Sequence, residues 1–593
     1  MAFDGIVTKG VITELNKTLI GAEVNKVLQP TKNEIILDLY SKDGGKYNLL
    51  ISILPEGCRL HLTTHLKSNP SNPINFCMLL RKYLVGSKIL KVSNYDLERT
   101  IEVKFETRNE LNDIVKRRLY VEIMSRQSNI VLTNENNIII DCLKHFEDDK
   151  RPRLPASPFV FTPILKSSFI DLETLTDFYE IVSNSPEEKL SEKLPDAFIG
   201  FSKNFILKSL EVLNIDDLNY NVEDLEKLYN YLKKLIGNFE LNYIRPEKIG
   251  KDYTLIISDK KENNLVINNF LNDFYFEKEQ KNLFNSSKNN LLRIVSSNLK
   301  KVYKKLENIN QKLKDCDNMD KYKLFGELLT ANLYRLNTDQ NFEEVEVLNY
   351  YTNENIKIHL DSKYNVSKNV ERFYKKYNKL KNTLEIVSEQ KKETEKEIDY
   401  IESIVYSLEN AKTMEEISQI YNEISENITG KKEINLKSSK NNKKQDEIRI
   451  QEVEFKGYKI YIGKNNSQND YLSFSFGSRE DLWFHAQKIH GSHVILKTNG
   501  QDDIPEEVIF EAAKLAKENS KGVNSSVVPV DYCKLKFVKR AQSRKLGMVN
   551  YTNFNTILVK WKIFKNINLI YINNNYRMYK TSYFLFKNII VCS

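Results

Sequence analysis

Two heptad runs constrain this chain more than any other feature. Leu292, Val295, Leu299, Val302, Leu306, Ile309 and Leu313 alternate steps of three and four residues. Phe373, Tyr377, Leu380, Leu384, Val387, Thr394, Ile398, Ile401, Val405 and Leu408 do the same, with one break at Lys391. On a helix this spacing collects the apolar side chains into one seam on an otherwise charged surface. At about 1.5 Å per residue the second run alone spans on the order of 50 Å. The segment between the runs holds Gly326–Asn332 and a strand-like Glu344–Tyr350, and it returns the chain. The pattern therefore predicts an intramolecular antiparallel arm with a small module at its tip; a parallel homodimeric coil is the alternative.

The flanks of the arm differ in period. Residues 1–175 alternate short β-like runs with Gly, Pro and Asn punctuation. Strands are predicted over Glu34–Tyr40, Lys46–Ser52 and Thr100–Phe105, with a helix over Cys77–Leu84. Residues 151–166 carry four Pro and read as an exit loop. Residues 176–245 turn helical, and Ile199-Gly200-Phe201-Ser202-Lys203 sits between helices. A helix–Gly turn–helix unit can aim backbone N–H groups at a phosphate, although an ordinary helical hairpin is the commoner outcome. The arm with its middle module takes 246–426, a polar Lys/Asn-rich linker 427–449, and a last α+β domain 450–559, in which Glu506–Asn519 is the one clear helix. The fold class is thus α+β multidomain. At 593 residues the chain exceeds what one core supports. The tail 560–593 holds no Asp, Glu, Gly, Pro or Ala and is dense in Asn, Ile, Lys, Phe and Tyr. It reads as aberrant, as a frameshift into AT-rich sequence would be; a divergent strand pair is the alternative.

No stretch reaches the roughly 18 apolar residues of a membrane helix, and Met1–Thr18 lacks the layout of a secretory signal. The six Cys form no C-x-x-C pair, so reduced thiols, a cytoplasmic location and no metal site are expected. A net charge of +9 is small for this length, but Lys-rich runs alternate with acidic ones, as contact with a polyanion on selected faces would require. Each run is equally a solvated helix face. No G-x-S-x-G elbow is present. The pairs Gly430-Lys431 and Gly463-Lys464 belong to no P-loop, so neither hydrolysis of nucleotides nor a cofactor is expected.

The segment from Asp481 to Ile495, reading DLWFHAQKIHGSHVI, predicts a strand, a tight turn and a second strand. Trp483, His485, Gly491, Ser492 and His493 offer a stacking face, neutral hydrogen-bonding groups and close backbone approach, a set that can grip a nucleotide or a partner loop; the family resemblance that follows makes them candidates for RNA or ribosome contact. A packed hairpin with Trp483 in its core is the simpler reading. The segment resembles the "DLWFH…PGSHV" motif of the C-terminal domain of the RqcH/NEMF/FbpA (NFACT) family. Tyr461–Asn466, Gln468–Leu472, Val528–Tyr532 and Gly547–Val549 agree around it, as do Met1–Gly5, His61–Thr63, Asn75–Lys82 and Val121–Met124 in the first half. His490 and Leu546 stand where the family has Pro.

The resemblance implies a ribosome quality-control factor, not an enzyme. Such a factor binds the large ribosomal subunit that carries peptidyl-tRNA and recruits alanyl-tRNA for a C-terminal alanine tail. Its partners would be the subunit, tRNA and no membrane, and it would be a monomer when free. The site residues carried over are Glu98 and Arg99, with Glu98 where the family has Asp, together with Glu122, Ile123, Met124 and nearby Arg126. A salt-bridge pair at a strand start, and a strand with Ile123 in its core, are their plainer readings. The first modules of the family resemble formamidopyrimidine-type DNA glycosylases, whose Pro-Glu start is Ala2-Phe3 here, which disfavours a repair lyase. A fibronectin-binding surface adhesin is the alternative function.

Overall fold

The computed structural model describes the chain except residues 1–2, 43, 71, 149–150, 163–164, 185–186, 337–340, 428–448, 543–544 and 561–593. The expectations for Ala2, for most of the linker and for the tail lie outside the described residues. Two compact units form, Met1–Leu283 and Phe284–Ser593.

The first unit is built on a nine-stranded antiparallel sheet. Its strands are β1 (Glu23–Thr31), β2 (Glu34–Tyr40), β3 (Lys46–Ser52), β4 (Arg59–Leu62), β5 (Lys88–Asn94), β6 (Thr100–Arg108), β7 (Ile114–Glu122), β8 (Asn129–Asn134) and β9 (Ile139–Cys142), in the order 4-3-2-1-5-6-7-8-9. The strands predicted over 34–40 and 46–52 form with those bounds, and the third runs on to Arg108. Helix α1 (Gly5–Leu19) is buried over most of its length, Thr8, Thr13 and Glu14 included, and packs Ile6, Val7, Val11, Ile12, Leu15 and Leu19 into the core. Helix α2 (Asn75–Leu84) packs Phe76, Cys77, Leu80 and Leu84 into the same core.

The helical module comprises α3 (Leu175–Ser183), α4 (Leu190–Ala197), α5 (Lys203–Leu213) and α6 (Val222–Gly237). Capping boxes Thr174/Asp177 and Asn221/Asp224 start α3 and α6, so the entry points of both are written in the sequence. A hairpin of β10 (Ile244–Ile249) and β11 (Asp252–Ile257) leads to α7 (Val266–Cys316), a helix about 75 Å long. The division between units falls inside α7. Its N-terminus is seated on a buried carboxylate. Glu14 accepts from the backbone N–H of Ile267 (2.8 Å) and Asn268 (2.9 Å) and from the Asn268 amide (2.8 Å). A helix N-terminus favours negative charge there, yet burial pushes the Glu14 carboxyl up to about 7.

In the second unit α7 runs antiparallel to α9 (Val366–Asn410). Lys288 reaches the carbonyl of Glu409 (2.6 Å), Tyr303 reaches Glu402 (2.5 Å) and Lys305 reaches Glu397 (3.4 Å), so later residues of one helix meet earlier residues of the other. Between the helices lie α8 (Met319–Asn332) and the hairpin β12 (Glu344–Asn349) and β13 (Glu354–His359). Leu328, Leu329, Val345, Val347, Ile358 and Val366 form their own small core, the module expected at this place. The heptad reading is too narrow in one respect. The last third of α9 is buried on a second face as well, through Tyr400, Ile404 and Ser407, because α10 (Met414–Asn427) packs beside it.

The C-terminal sheet runs Gln451–Phe455, Tyr458–Ile462, Val494–Leu496, Leu482–Ala486, Val527–Lys534 and Asn555–Lys560 in spatial order, each pair antiparallel. The helix Glu506–Glu518 covers one face with Val508, Ala512, Ala513 and Ala516. It is not the only helical segment here. Asn466–Tyr471, capped by Asn465, runs into a π-helical turn at Leu472–Phe476 on the other face. Its polar residues dock on the arm. The Asn466 amide donates to Glu423 (2.9 Å) and to Ser403 (2.9 Å), Tyr400 donates to Glu423 (2.8 Å), and Gln419 accepts from Asn465 (2.8 Å).

Burial pushes the Glu423 carboxyl up from 4.5 to about 7, against the hydrogen bonds of Asn466 and Tyr400. The folded state therefore holds a proton that the unfolded chain has released. The stabilisation is complete below about pH 4 and is lost as pH rises toward 7. Unfolding of this unit in urea is expected to show lower stability at pH 8 than at pH 5, by about 1–3 kcal/mol. Glu423→Gln should remove most of that difference; an unchanged pH profile in the variant would contradict the assignment.

Candidate nucleic-acid interface

The two motifs carried over by resemblance in the first half are far apart in sequence and meet in space. The β6–β7 register sets Thr100 opposite Glu122. Just past it the Ile123 N–H donates to the Arg99 carbonyl (3.2 Å). Glu98-Arg99 and Glu122-Ile123-Met124 therefore share one end of the sheet. The Asn94 amide holds the Glu98 carbonyl (2.7 Å), and the Glu98 carboxylate accepts from the Arg99 N–H (3.2 Å). Both side chains are half-buried.

Leu97 makes this end meet the helical module. Gly5 and Gly200 press on its carbonyl so closely that an added Cβ would lie 2.0 and 2.3 Å from it. Gly200 also has φ +77°. The glycine of the 199–203 turn is thus required for close backbone approach. Two helix N-termini converge on the same spot. Asp4 caps α1 by accepting from Val7 (2.9 Å), Ser202 caps α5 by accepting from Phe205 (3.2 Å), and the Ser202 hydroxyl donates to Asp4 (2.5 Å). Burial pushes the Asp4 carboxyl up to about 6, while the hydrogen bonds from Ser202 and Val7 and the charge of Arg99 oppose it. A cleft of about 450 Å³ opens here, lined among others by Asp4, Glu98, Arg99, Lys166, Ser202 and Lys203. Two helix N-termini and the cations Arg99, Lys166 and Lys203 suit an anionic ligand, with the carboxyl groups of Asp4 and Glu98 set among them. Part of that charge is already met, since Lys203 pairs with Glu192 at 2.6 Å and Lys166 lies 3.8 Å from Asp196.

The remaining residues of the motif divide. Ile123 is a core residue. Glu122 is buried and grips Arg153 with both oxygens (3.0 and 2.6 Å), so it does not face a ligand. Arg126 is exposed on a short 3-10 turn that Ser125 opens at φ +56°. Arg151, Arg153, Phe159 and Phe161, which pack around Glu122 and Tyr120, were not foreseen. Their signal was two arginines and two phenylalanines close together in a Pro-rich segment.

The C-terminal motif corrects another expectation. Its strands pair as Leu482↔Leu496, Trp483↔Ile495 and Phe484↔Val494, but residues 487–493 join them as a longer loop, not a tight turn. Trp483 is fully buried among Leu472, Ile495, Cys533 and Leu535, with the rings of His485, His493 and Tyr551 around it. It offers no stacking face, and the packed-hairpin reading holds for it. Ser492 and His493 are buried too. The His493 ring accepts from or donates to Ser473 (2.8 Å), and the His493 backbone N–H donates to the Asn469 side-chain oxygen (2.9 Å). Burial holds His493 well below the usual imidazole range and brings His485 down to about 4. Neutral rings cannot serve as phosphate cations. Gly491 lies against Ser520, where a Cβ would come within 2.8 Å. These residues shape the domain from within. His490 faces Glu402 of the arm (3.3 Å).

Among the described residues Asp141, Cys142 and His145 bring potential metal ligands together. The Cys142 thiol is buried and pushed up to about 12, and His145 already pairs with Asp141 at 2.6 Å. No helix among the described residues is long and apolar enough to cross a membrane.

Sheet end, capped helices, coiled-coil arm and C-terminal α+β domain together define an α+β multidomain protein. The chain belongs to the NFACT family of RqcH/NEMF ribosome quality-control proteins: residues 4–447 match the NFACT N-terminal and middle domains and residues 449–551 the NFACT protein RNA binding domain. It is 33% identical over 573 residues to the "Rqc2 homolog RqcH" of Bacillus subtilis (strain 168), covering 94% of this chain and 98% of that protein. It is 26% identical over 246 residues to the human "Ribosome quality control complex subunit NEMF", covering 39% of this chain and 22% of that one. A solved structure of the N-terminal part of the fibronectin/fibrinogen-binding protein from Streptococcus suis matches at 26% identity with a TM-score of 0.38, over 46% of this chain and 99% of that one.

Proposed function

We propose that this chain binds large ribosomal subunits obstructed by peptidyl-tRNA and presents alanyl-tRNA for alanine tailing of the stalled chain. Peptide-bond chemistry stays with the ribosome, and the protein contributes positioning. The observation that carries this reading is the convergence of Arg99 with the 122–124 segment beside two capped helix N-termini. A guanidinium in such a cleft can take a phosphate or a guanine edge, and the neighbouring Glu98 can accept from a base amino group. The family's RNA-binding domain supplies a second contact in the same chain. Linking two contacts raises the effective concentration of each, so weak individual binding suffices. The adhesin alternative leaves the convergence at the sheet end unexplained.

Arg99→Ala is expected to weaken tRNA binding roughly tenfold, and to lower the slope of log K against log salt by about one. Glu98→Asp should be tolerated. Filter binding of labelled tRNA to the full chain reads both; wild-type affinity in Arg99→Ala would remove Arg99 from the site.

A further inference from the structure

Glu122 is buried and does not line the cleft, yet it holds in place the segment that packs around it. Arg153, which it grips, donates to the Val160 carbonyl (2.9 Å). Arg151 donates to the Thr162 hydroxyl (2.6 Å) and contacts the Met124 sulfur (3.2 Å). The residues on both sides of Phe161 are thus clamped by two arginines with little exposure. Phe161 itself is 48% exposed, whereas Phe159 and Tyr120 are buried. The Tyr120 and Phe159 rings stack at 3.9 Å and 4°, and Phe161 stands edge-on to both, at 5.6 and 5.1 Å and 87°. A half-exposed ring held this firmly keeps part of its apolar surface in water and forgoes the free energy of burying it. Exposed Arg126 lies two residues past Met124, and Leu165 and Lys166 line the cleft.

We propose that Phe161 is a stacking platform for an unpaired base of the bound RNA, and that Glu122 is a positioning residue acting through Arg153. The proposal rests on the reading of the Arg99 cleft as an RNA site. Every base has a π-face, so an aromatic platform beside cations suits a single-stranded loop or end, whereas the bases of a duplex are covered by their neighbours. Stacking moves no counterion, and this separates Phe161 from Arg99 experimentally.

The test uses the full chain with unfractionated tRNA and with a fully paired RNA duplex, over a range of salt. Phe161→Ala is expected to weaken tRNA binding about tenfold with the salt slope and duplex binding unchanged, and Phe161→Tyr should restore it. Glu122→Gln should follow Phe161→Ala. If Phe161→Ala binds tRNA like wild type while Arg99→Ala does not, the platform is wrong and the cleft reading stands. If neither variant loses affinity, the cleft reading falls with it. If Phe161→Ala loses tRNA and duplex binding equally and also melts earlier, Phe161 is only a brace and the proposal is overturned.

Discussion

Glu122→Ala is expected to destabilise the first unit by about 3–5 kcal/mol, because it strands the Arg153 guanidinium inside the protein. The side chains of both partners are essentially without solvent contact, and they meet through two hydrogen bonds. Water cannot reach Arg153 to replace the lost carboxylate, and the guanidinium cannot neutralise itself by losing a proton. Combining Glu122→Leu with Arg153→Met should recover most of the loss, since a buried pair replaced whole by apolar groups is often neutral. Hydrogen exchange of the sheet amides measures both variants. A loss below about 1 kcal/mol in Glu122→Ala would fall in the range of a surface pair and refute the burial argument.

Ile404→Asp should cost the second unit about 4–5 kcal/mol. Ile404 is fully buried in the cluster that joins α7, α9 and α10, so the variant loses apolar burial and places a charge where nothing pairs with it. Ile404→Val, which keeps the shape and removes one methylene, should cost only about 1 kcal/mol. Calorimetry of the full chain distinguishes the two, and the first unit's transition should not move in either. Equal losses in both variants would mean that packing rather than charge burial governs the site. Because Asn466 and His490 dock on the same stretch of arm, Ile404→Asp should also loosen the C-terminal domain's seat.

Local period made much of this architecture legible. The strands at 34–40 and 46–52 and the heptads of α7 and α9 are patterns of neighbours, and neighbours are what a sequence displays. The second buried face of α9 was hidden because Tyr400 and Ser407 are polar and look like surface until Glu423 and α10 meet them. The loop at 487–493 read as a tight turn because Gly491-Ser492 has turn chemistry, whereas the glycine actually serves contact with Ser520. The candidate site was legible only through family motifs. Its assembly depends on the β6–β7 register and on an Asp4–Ser202 bond across 198 residues, and no local pattern encodes either. Arg151, Arg153 and Phe161 were missed because four prolines argued for a plain connection. Among the candidate residues of the two motifs Glu122 and Trp483 proved buried, so a motif can mark what builds a site as readily as what touches the ligand.

Sedimentation of the tagged chain through a sucrose gradient with purified large subunits and labelled alanyl-tRNA tests the proposed function most directly. At low salt the wild type should travel with the subunit and carry tRNA into that peak, and both should leave it as salt rises, because phosphate contacts release counterions. Arg99→Ala should still reach the subunit peak with its tRNA left behind. Wild-type protein confined to the top of the gradient at low salt, or Arg99→Ala carrying undiminished tRNA, would contradict it.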